Sequence, residues 1–361
     1  MSDDSAQRLL GWFRSTAREL PWRTPFPRDP YAVLVSEVMA QQTQLERVVP
    51  AFRGFLERFP SVQVLAAAEV ADVLRAFSGL GYYRRARLLH RAACGITERG
   101  AWPTTFEGLQ ALPGFGPYTA AAVTAFAFGG SEPPVDGNVA RVTARLGALP
   151  LKLGSGPLLQ QGRLLADALF ADAGTPQVWE ALMELGATVC TPSRPRCGLC
   201  PLASDCAGLR AGTPTAFPLA RTQRARERQR WAVLWLERPD GSVLLRRVDH
   251  GPLLAGLWLP PFAVLAEGGS ARDAARDLAR QSGFDPPLTQ AATVKHSITH
   301  RDIRVLPFVG ATPDTRVGEA REGSSWQQPL TPAVGVSSLL AKLARACAGH
   351  KAPRLPAERE E

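Results

Sequence analysis

The chain has 361 residues, of which 45% are hydrophobic, and a formal net charge of +9. This length and apolar content suffice for two domains with hydrophobic cores, and they exclude a fibrous or broadly disordered protein. The first residues, MSDDSAQRLLGWF, are acidic where a secretory signal is basic, and no apolar run is long enough to span a bilayer. We therefore expect a cytoplasmic protein of bacterial type with no membrane contact, and the excess of Lys and Arg predicts a polyanionic partner.

Up to about residue 208, apolar residues recur at helical spacing. The segments that show this pattern are LLGWFRSTAREL, YAVLVSEVMAQQTQLERVV, VADVLRAFSGL, RARLLHRAACGI, AAAVTAFAFG, VARVTARLGAL and VWEALMELGATV. Pro, Gly, Asp and Thr in the connections are typical of helix ends. The sequence predicts an all-α domain of roughly ten short helices over residues 1–208.

After residue 208 the pattern changes. Residues 209–230 are rich in arginine and predict a basic interdomain linker. WAVLWLERPDGSVLLRRV predicts two strands around a Pro-Asp-Gly turn, VKHSITHRDIRVLPFVGA predicts another pair, and ARDAARDLARQSGF predicts a helix that ends at Gly283. We therefore expect an α+β domain over residues 231–348, followed by a disordered tail at 349–361.

Four of the six cysteines fall within seventeen residues, at Cys190, Cys197, Cys200 and Cys206. In a reducing compartment a disulfide framework is not expected, so the cluster indicates metal ligands. Four thiolates hold either tetrahedral zinc or a cubane iron-sulfur cluster. Structural zinc usually shows two short Cys pairs, and here only Cys197 and Cys200 form one. On spacing alone, zinc and unligated thiols remain alternatives.

The stretch LPGFGPYTAAAV has the pattern of a helix-hairpin-helix element. The turn Gly114-Phe115-Gly116 would let backbone N–H groups approach a DNA phosphate at a helix start. A glycine-rich turn between two core helices is the alternative. Arg194 and Arg196 lie between the cysteines, and on a loop fixed by metal they would also face phosphates.

Two carboxylates are candidates for chemistry. Asp136, in VDGNVARV, starts a helix, where capping N–H groups and the helix dipole favour the ionised form that stabilises a developing cation. Glu37 lies among apolar residues in YAVLVSEVMAQQTQ, and burial would raise its pKa and make it a general acid near neutral pH. A plain N-cap role for Asp136 and an exposed position for Glu37 are the alternatives.

Several motifs occur in the order found in the MutY family of adenine DNA glycosylases, within the endonuclease III superfamily. They are LPWR, SEVMAQQTQ, GLGYY, LPGFGPYTA, VDGNV, ELGATVC and the cysteine loop, and they span about Leu20 to Cys206. The resemblance implies a helix-hairpin-helix glycosylase domain with a 4Fe-4S cluster on the four cysteines. It also implies a nucleoid-associated monomer that acts on double-stranded DNA with an adenine:8-oxoguanine or adenine:guanine mispair, and that hydrolyses the adenine N-glycosidic bond to leave an abasic site.

The same resemblance assigns roles residue by residue. Glu37 would protonate adenine at N7 and Asp136 would stabilise the sugar cation, while Tyr118 and Asn138 would orient them. The residues implied to line the flipped-base pocket are Trp22, Arg23 and Glu180, and those implied to enter the base stack and hold the opposite 8-oxoguanine are Gln42, Thr43, Leu80 and Tyr82. Tyr118 stands where bifunctional relatives carry a Schiff-base lysine, which implies a monofunctional enzyme.

The second domain resembles the Nudix-like C-terminal domain of the same family, on the stretch GPLLAGLWLPPF at residues 251–262. Its helix lacks the acidic cluster of Nudix hydrolases, so we expect no pyrophosphatase activity. The family's Phe-Ser-His triplet, which contacts 8-oxoguanine, is here Ile298-Thr299-His300, and Ala40 replaces a usual leucine. A bifunctional glycosylase/lyase and a noncatalytic iron-sulfur DNA-binding protein are the alternative functions.

Overall fold

A computed structural model of the chain describes residues 4–221, 225–249, 254–312 and 323–348. The chain divides into two compact units. The first unit comprises Met1–Ala67 with Leu88–Gln223, and the second comprises Ala68–Arg87 with Arg224–Glu361. The predicted tail at 349–361 lies outside the described residues.

The first part of the chain is helical, as the sequence predicts. The helices are α1 (Ser5–Thr16), α2 (Pro30–Ala40), α3 (Leu45–Arg58), α4 (Val62–Ala67), α5 (Val70–Ala76), α6 (Arg84–Arg99), α7 (Phe106–Gln110), α8 (Pro117–Phe128), α9 (Gly137–Leu146), α10 (Gly156–Ala173), α11 (Gln177–Thr188) and α12 (Ala207–Arg210). Within the described ranges no helix has the length and apolar content needed to cross a bilayer.

Helix α8 forms the centre of the first unit. Every residue from Thr119 to Ala127 is buried, as expected for a helix that is apolar on all sides. Its many alanines let neighbouring helices approach closely, and α2 packs against it. Helix α2 is also mostly buried. The packing of α2 on α8 therefore brings Glu37 near the start of α8.

Side-chain caps fix where two of these helices begin. The Asp29 carboxylate accepts hydrogen bonds from the backbone N–H groups of Tyr31 and Ala32 at the start of α2. Asp136 does the same at the start of α9, for Asn138 and Val139. Such caps are each worth about 1 kcal/mol. They hold Asp136 at a defined place on the first unit.

The second unit is α+β, as predicted. Its strands are β1 (Glu227–Glu237), β2 (Val243–Arg247), β3 (Trp258–Leu259), β4 (Phe262–Val264), β5 (Thr289–Gln290), β6 (Val294–Ile298), β7 (Arg301–Ala311) and β8 (Ser324–Gln327), and its later helices are α13 (Ala271–Gln281) and α14 (Ser338–Cys347). They form one mixed sheet, in which β1 and β7 are parallel and the other pairs are antiparallel. Leu234 and Leu236 of β1 pack with Leu278 of α13.

Two boundaries differ from the sequence-based ones. Strand β1 begins at Glu227, inside the predicted linker. Its first residues are charged and show no apolar alternation, so the strand pattern in the sequence starts only at Trp231. Residues 68–87, predicted as part of the helical domain, group with the second unit. There Arg75 donates to the Ala333 carbonyl (2.8 Å) and the Tyr83 hydroxyl donates to the Val336 carbonyl. Contacts between residues so distant in sequence leave no local pattern.

Helix α11 approaches α9 at a glycine. A Cβ on Gly186 would lie 2.6 Å from the Asn138 Cβ and 2.9 Å from its carbonyl oxygen. We predict that Gly186→Ala lowers the free energy of unfolding by about 1–3 kcal/mol, because the two helices must move apart. Gly54→Ala is the control: nothing lies within 4 Å of its Cβ, so removing a helical glycine should stabilise α3 by roughly 0.5–1 kcal/mol. Urea denaturation followed by circular dichroism measures both, and an unchanged midpoint for Gly186→Ala would contradict this packing.

Candidate active site

A cleft of about 790 Å³ opens in the first unit. Helices α2, α8, α9 and α11 each contribute a polar side chain to its wall. These side chains are Glu37, Tyr118, Asp136 with Asn138, and Glu180 with Glu184. All seven residues that the sequence assigned to catalysis and to the base pocket line this one cavity.

Glu37 is half-buried in this cleft rather than on a solvated helix face. Burial raises its pKa from 4.5 to about 7, opposed by a hydrogen bond with Tyr118. The negative charges of Asp136 and Glu180 raise the pKa further, while Arg28 lowers it. A carboxyl group with this pKa is a usable proton donor at neutral pH.

The Tyr118 hydroxyl donates the hydrogen bond to Glu37. Burial raises the pKa of Tyr118 well above its usual value, and the nearby charge of Glu37 adds to the effect. The phenol therefore stays protonated throughout the working pH range. It holds the Glu37 carboxyl in a fixed position.

Asp136 is held by three hydrogen bonds. The backbone N–H groups of Asn138 and Val139 each donate to one carboxylate oxygen at 2.8 Å, and the Asn138 side-chain amide donates to the other at 2.6 Å. Burial nevertheless raises the pKa of Asp136, although these bonds and Arg141 oppose it. The cap alone was expected to favour ionisation, and the structure shows that desolvation outweighs it.

Arg141, which was not among the predicted residues, joins the start of α9 to the cysteine loop. Its guanidinium donates to the Asn138 side-chain oxygen (2.7 Å), to the Gly186 carbonyl (2.7 Å) and to the Cys190 carbonyl (2.8 Å). Arg141 follows Asn138 by three residues, which places both on one helix face. That spacing is the one signal for it in the sequence.

Arg28 was also missed, and it forms a buried ion pair with Glu180. Its two terminal nitrogens donate to the two Glu180 carboxylate oxygens, each at 2.8 Å. The guanidinium lies 4.2 Å from the Phe26 ring centre and 5.7 Å from that of Phe126. This bidentate pairing, supported by cation–π contacts, fixes the orientation of Glu180.

Glu184, one helical turn after Glu180, anchors two further arginines. It accepts hydrogen bonds from Arg18 (2.6 Å) and Arg23 (2.7 Å). Burial alone would raise the pKa of Glu184, but the two arginines outweigh it and lower the pKa. Arg23 also lies 3.6 Å from Glu180. The predicted pocket residue Arg23 thus bridges two carboxylates, and the i, i+4 spacing of the two glutamates was the available signal.

Trp22, Gln42 and Thr43 also line the cleft, as predicted. Trp22 lines it and packs edge-on against Phe52, with ring centres 5.1 Å apart. Gln42 and Thr43 line it at the turn after α2, where Gln42 has a left-handed backbone (φ 56°). Ala40, smaller than the leucine usual in the family, also lines the cleft.

Leu80 and Tyr82 belong to the second unit. Leu80 is buried, whereas 46% of Tyr82 is exposed. Arg85 donates to the carbonyls of Leu80 (3.3 Å) and Gly81 (3.1 Å), and its guanidinium lies 5.5 Å from the Tyr82 ring centre. Tyr82 is therefore presented to solvent on a loop that Arg85 holds in place.

The predicted hairpin turn lies between α7 and α8. Gly114 has φ 93°, and a Cβ there would lie 2.7 Å from the Leu88 carbonyl oxygen, so the position requires glycine. Gly116 precedes α8 without a side-chain cap. Phe115 is buried, with 6% exposed, so at this residue the backbone rather than the ring is available to a phosphate.

The four predicted cysteine ligands line one cavity, together with apolar residues that include Val142, Leu146 and Val189. Burial raises the pKa of the Cys200 thiol to about 11, and the other three sulfurs raise it further, while a backbone N–H bond from Leu202 opposes this. Arg145 donates to the Cys190 sulfur at 3.4 Å. The four side chains would be thiolates only with a cationic metal group among them, and the N–H donors suit such ligands.

Among the described residues, no group of three or more His, Cys, Asp or Glu side chains is arranged around a single metal ion. The four predicted ligands nevertheless border one shared cavity. Arg194 in this loop is exposed. Arg196 is also exposed, but it donates to the Thr188 carbonyl at 2.6 Å.

Thr299 and His300 form the turn between β6 and β7. Thr299 has a left-handed backbone (φ 55°), and its hydroxyl lies 3.3 Å from His300 Nδ1. The other ring nitrogen of His300 lies 3.7 Å from the Glu227 carboxylate. Ile298 ends β6 beside them. The predicted lesion-contacting pair thus stands together at one end of the sheet.

The comparisons with known proteins cover both units. A profile of the HhH-GPD superfamily of base excision DNA repair proteins matches residues 35–153, and one of the iron-sulfur binding domain of endonuclease III matches residues 190–206. Among solved structures, a thermostable thymine-DNA glycosylase is similar over 57% of this chain and 95% of that one (TM-score 0.50, 24% identity), which shows the helical fold.

Curated relatives extend over more of the chain. The adenine DNA glycosylase of Mycolicibacterium smegmatis is 43% identical over 61% of this chain and 74% of that protein. The adenine DNA glycosylase of Homo sapiens is 33% identical over 95% of this chain and 74% of that protein. The match therefore includes the sheet-containing unit as well as the cleft and the cysteine loop, and the chain belongs to the adenine DNA glycosylase family.

Proposed function

We propose that the protein removes adenine mispaired with 8-oxoguanine or guanine from double-stranded DNA and leaves an abasic site. The observation that carries the proposal is the pairing of Glu37, whose pKa is about 7, with Asp136 in one cleft. A proton donor and a carboxylate on one cavity are the two groups that N-glycosidic hydrolysis requires. Because both are recessed, the target nucleotide must leave the base stack to reach them.

The reaction then follows from the positions of the two carboxyl groups. Protonated Glu37 donates its proton to N7 of the flipped adenine, so that the bond between the base and the sugar breaks with its electron pair leaving on adenine. The Asp136 carboxylate stabilises the sugar cation that remains. Water adds to that cation, and its released proton restores the acid form of Glu37. Tyr118 and Asn138 hold the two carboxyl groups in place through the bonds described above.

The ion pair in the cleft supports recognition of adenine. Arg28 donates to both Glu180 oxygens and Arg23 lies 3.6 Å from Oε1, which leaves a second lone pair of Oε2 as a hydrogen-bond acceptor. An anionic acceptor suits the exocyclic amine of adenine and disfavours a base that presents a carbonyl there. Trp22 and Arg23 line the same cleft, and we assign them to contacts with the base.

The cysteine loop holds a 4Fe-4S cluster, which supplies a fixed structural crosslink for residues 190–206. Arg145 and Arg141 tie that loop to α9, whose first turn carries Asp136 and Asn138. The loop, the hairpin turn at Gly114–Gly116 and the exposed Arg194 are the parts of the first unit that we assign to DNA phosphates.

The first test is strand chemistry on a duplex whose labelled strand carries adenine opposite 8-oxoguanine. We expect cleavage only after alkali, because Tyr118 cannot form the imine that a lysine would form. Cleavage without alkali would support a lyase instead, and no cleavage in either lane would support a noncatalytic DNA-binding protein.

Glu37→Gln should slow excision by ~10²-fold or more while duplex binding persists. Glu57→Gln, an exposed glutamate on α3, is the control and should match the parent.

The pH dependence follows from the raised pKa of Glu37. The single-turnover rate should fall about tenfold per pH unit above about 7, as the acid form disappears. Between pH 4.5 and 7 the folded state binds a proton that the unfolded state has released, so stability should fall across that window by on the order of 3 kcal/mol. Glu37→Gln should lack that fall, as measured by urea denaturation at pH 5 and pH 8. Identical pH profiles for parent and variant would contradict the assignment.

Discrimination of the opposite base is assigned to Thr299 and His300. One or two polar contacts to 8-oxoguanine are worth ~1–3 kcal/mol of preference. We therefore expect Thr299→Ala/His300→Ala to slow excision opposite 8-oxoguanine more than opposite guanine, measured as single-turnover rates on the two duplexes. The control Thr289→Ala/Gln290→Ala removes two exposed side chains of β5 and should change neither rate. Equal losses on both duplexes for the first variant would refute this role.

A further inference from the structure

Three cations lie side by side across the sheet of the second unit. In the β1–β7 pair Arg230 is directly opposite Arg304, and in the β6–β7 pair Arg304 is directly opposite Lys295. Because directly paired residues of neighbouring strands project to the same face, these side chains form a row across β1, β7 and β6. All three are exposed.

Arg228 extends the row along the strand. It precedes Arg230 by two residues and so projects to the same face, where its cross-strand partner is Asp302. That carboxylate already accepts hydrogen bonds from Arg226 (2.6 Å) and Ser297 (3.1 Å). We call Arg228, Arg230, Lys295 and Arg304 the cation row. Within the described ranges, no ion pair is seen for any member.

This arrangement costs stability. Like charges directly opposite each other destabilise a sheet, and strands about 4.8 Å apart keep the outer members within about 10 Å. The row borders a groove of about 700 Å³, whose lining includes the carboxylates of Asp302 and Glu267. The four cations outnumber the two acidic residues of the lining, Asp302 and Glu267. An anionic partner would therefore offset a repulsion that the protein's own carboxylates leave in place.

The position of the row indicates what that partner is. Lys295 lies four residues before Thr299 on a continuous strand and turn, about 13 Å away at 3.3 Å per residue. Double-stranded DNA carries one negative charge per about 1.7 Å of helix axis, so a duplex that reaches the turn presents several phosphates within that distance. A row of exposed cations at strand spacing suits the repeating charge of a nucleic-acid backbone.

We propose that the cation row binds the phosphate backbone of the DNA duplex beside the base that Thr299 and His300 contact. This inference rests on the proposed function, because the turn supplies the reference point. Arginine and lysine contacts of this kind position a duplex without reading its sequence. They would add affinity equally for mispaired and undamaged DNA.

The salt dependence of binding tests the row directly. The probe is a duplex with adenine opposite 8-oxoguanine, bound by the full chain carrying Glu37→Gln so that the substrate persists. Each lost phosphate contact lowers the slope of log Kd against log salt concentration by ~0.9, so R228Q/R230Q/K295Q/R304Q should lower it by about 2 to 4. The control R246Q/R276Q/R280Q/R345Q removes the same net charge from exposed residues elsewhere in the unit and should change the slope by less than about 1.

Two further measurements separate binding from structure. Because repulsion is relieved, the row variant should unfold at a higher temperature than its parent at low salt, although it binds DNA more weakly. Replacing the three arginines by lysine should retain most of the slope. If the quadruple variant does not fold by circular dichroism, Arg304→Gln alone should still lower the slope by ~0.9.

An equal change of slope in the row and control variants would overturn the proposal, as would a row variant whose slope matches the parent. Its failure can be told apart from failure of the proposed function. With Glu37 restored, excision by the row variant at saturating enzyme concentration should equal that of the parent, because the cleft is in the first unit. If the protein excises adenine but the row variant has the slope of the parent, only the proposed DNA contact of the cation row is wrong. If the slope is reduced but no adenine is excised, the proposed activity is wrong and the cation row is still a DNA-binding surface.

Discussion

The desolvation of one carboxyl group, that of Glu37, is the constraint on which the cleft depends. A glutamate in water is ionised at neutral pH and has no proton to donate, so the helices must keep water from it. Helix α2 carries it among buried apolar residues, and the central helix α8 contributes the Tyr118 hydroxyl that fixes it. The negative charges of Asp136 and Glu180 add to its raised pKa. The acid therefore results from four helices acting together.

Several features of the protein trade stability for function. A buried carboxyl with a raised pKa destabilises the folded state above the ordinary pKa of glutamate. The buried pair of Arg28 and Glu180 contributes little net stability, because desolvation offsets much of its attraction. It fixes the direction of an acceptor instead. The cation row is a further example, because repulsion between its side chains lowers the stability of the sheet and we assign the row to DNA binding.

Local patterns in the sequence were sufficient to predict much of the fold and several residues of the cleft. Helical periodicity predicted the first domain, alternation and the Pro-Asp-Gly turn predicted the strands, and apolar neighbours of Glu37 predicted its burial. Local patterns did not indicate Arg28, Glu184 or Arg141, because each binds partners that are distant in the sequence. Residues 68–87 group with the second unit through backbone carbonyls at 333 and 336, which no local pattern records. Similarly, the net pKa direction of Asp136 depended on burial that a cap motif does not reveal.

The most direct test of this account is the titration of Glu37 itself. Carboxyl ¹³C resonances of protein labelled at glutamate can be followed by NMR from pH 4 to pH 9, and the Glu37 signal is identified by its absence in Glu37→Gln. We expect a midpoint near 7, well above those of exposed glutamates in the same spectra. A midpoint near the ordinary value of 4.5 would show that the cleft does not hold a protonated acid at neutral pH, and would contradict the account.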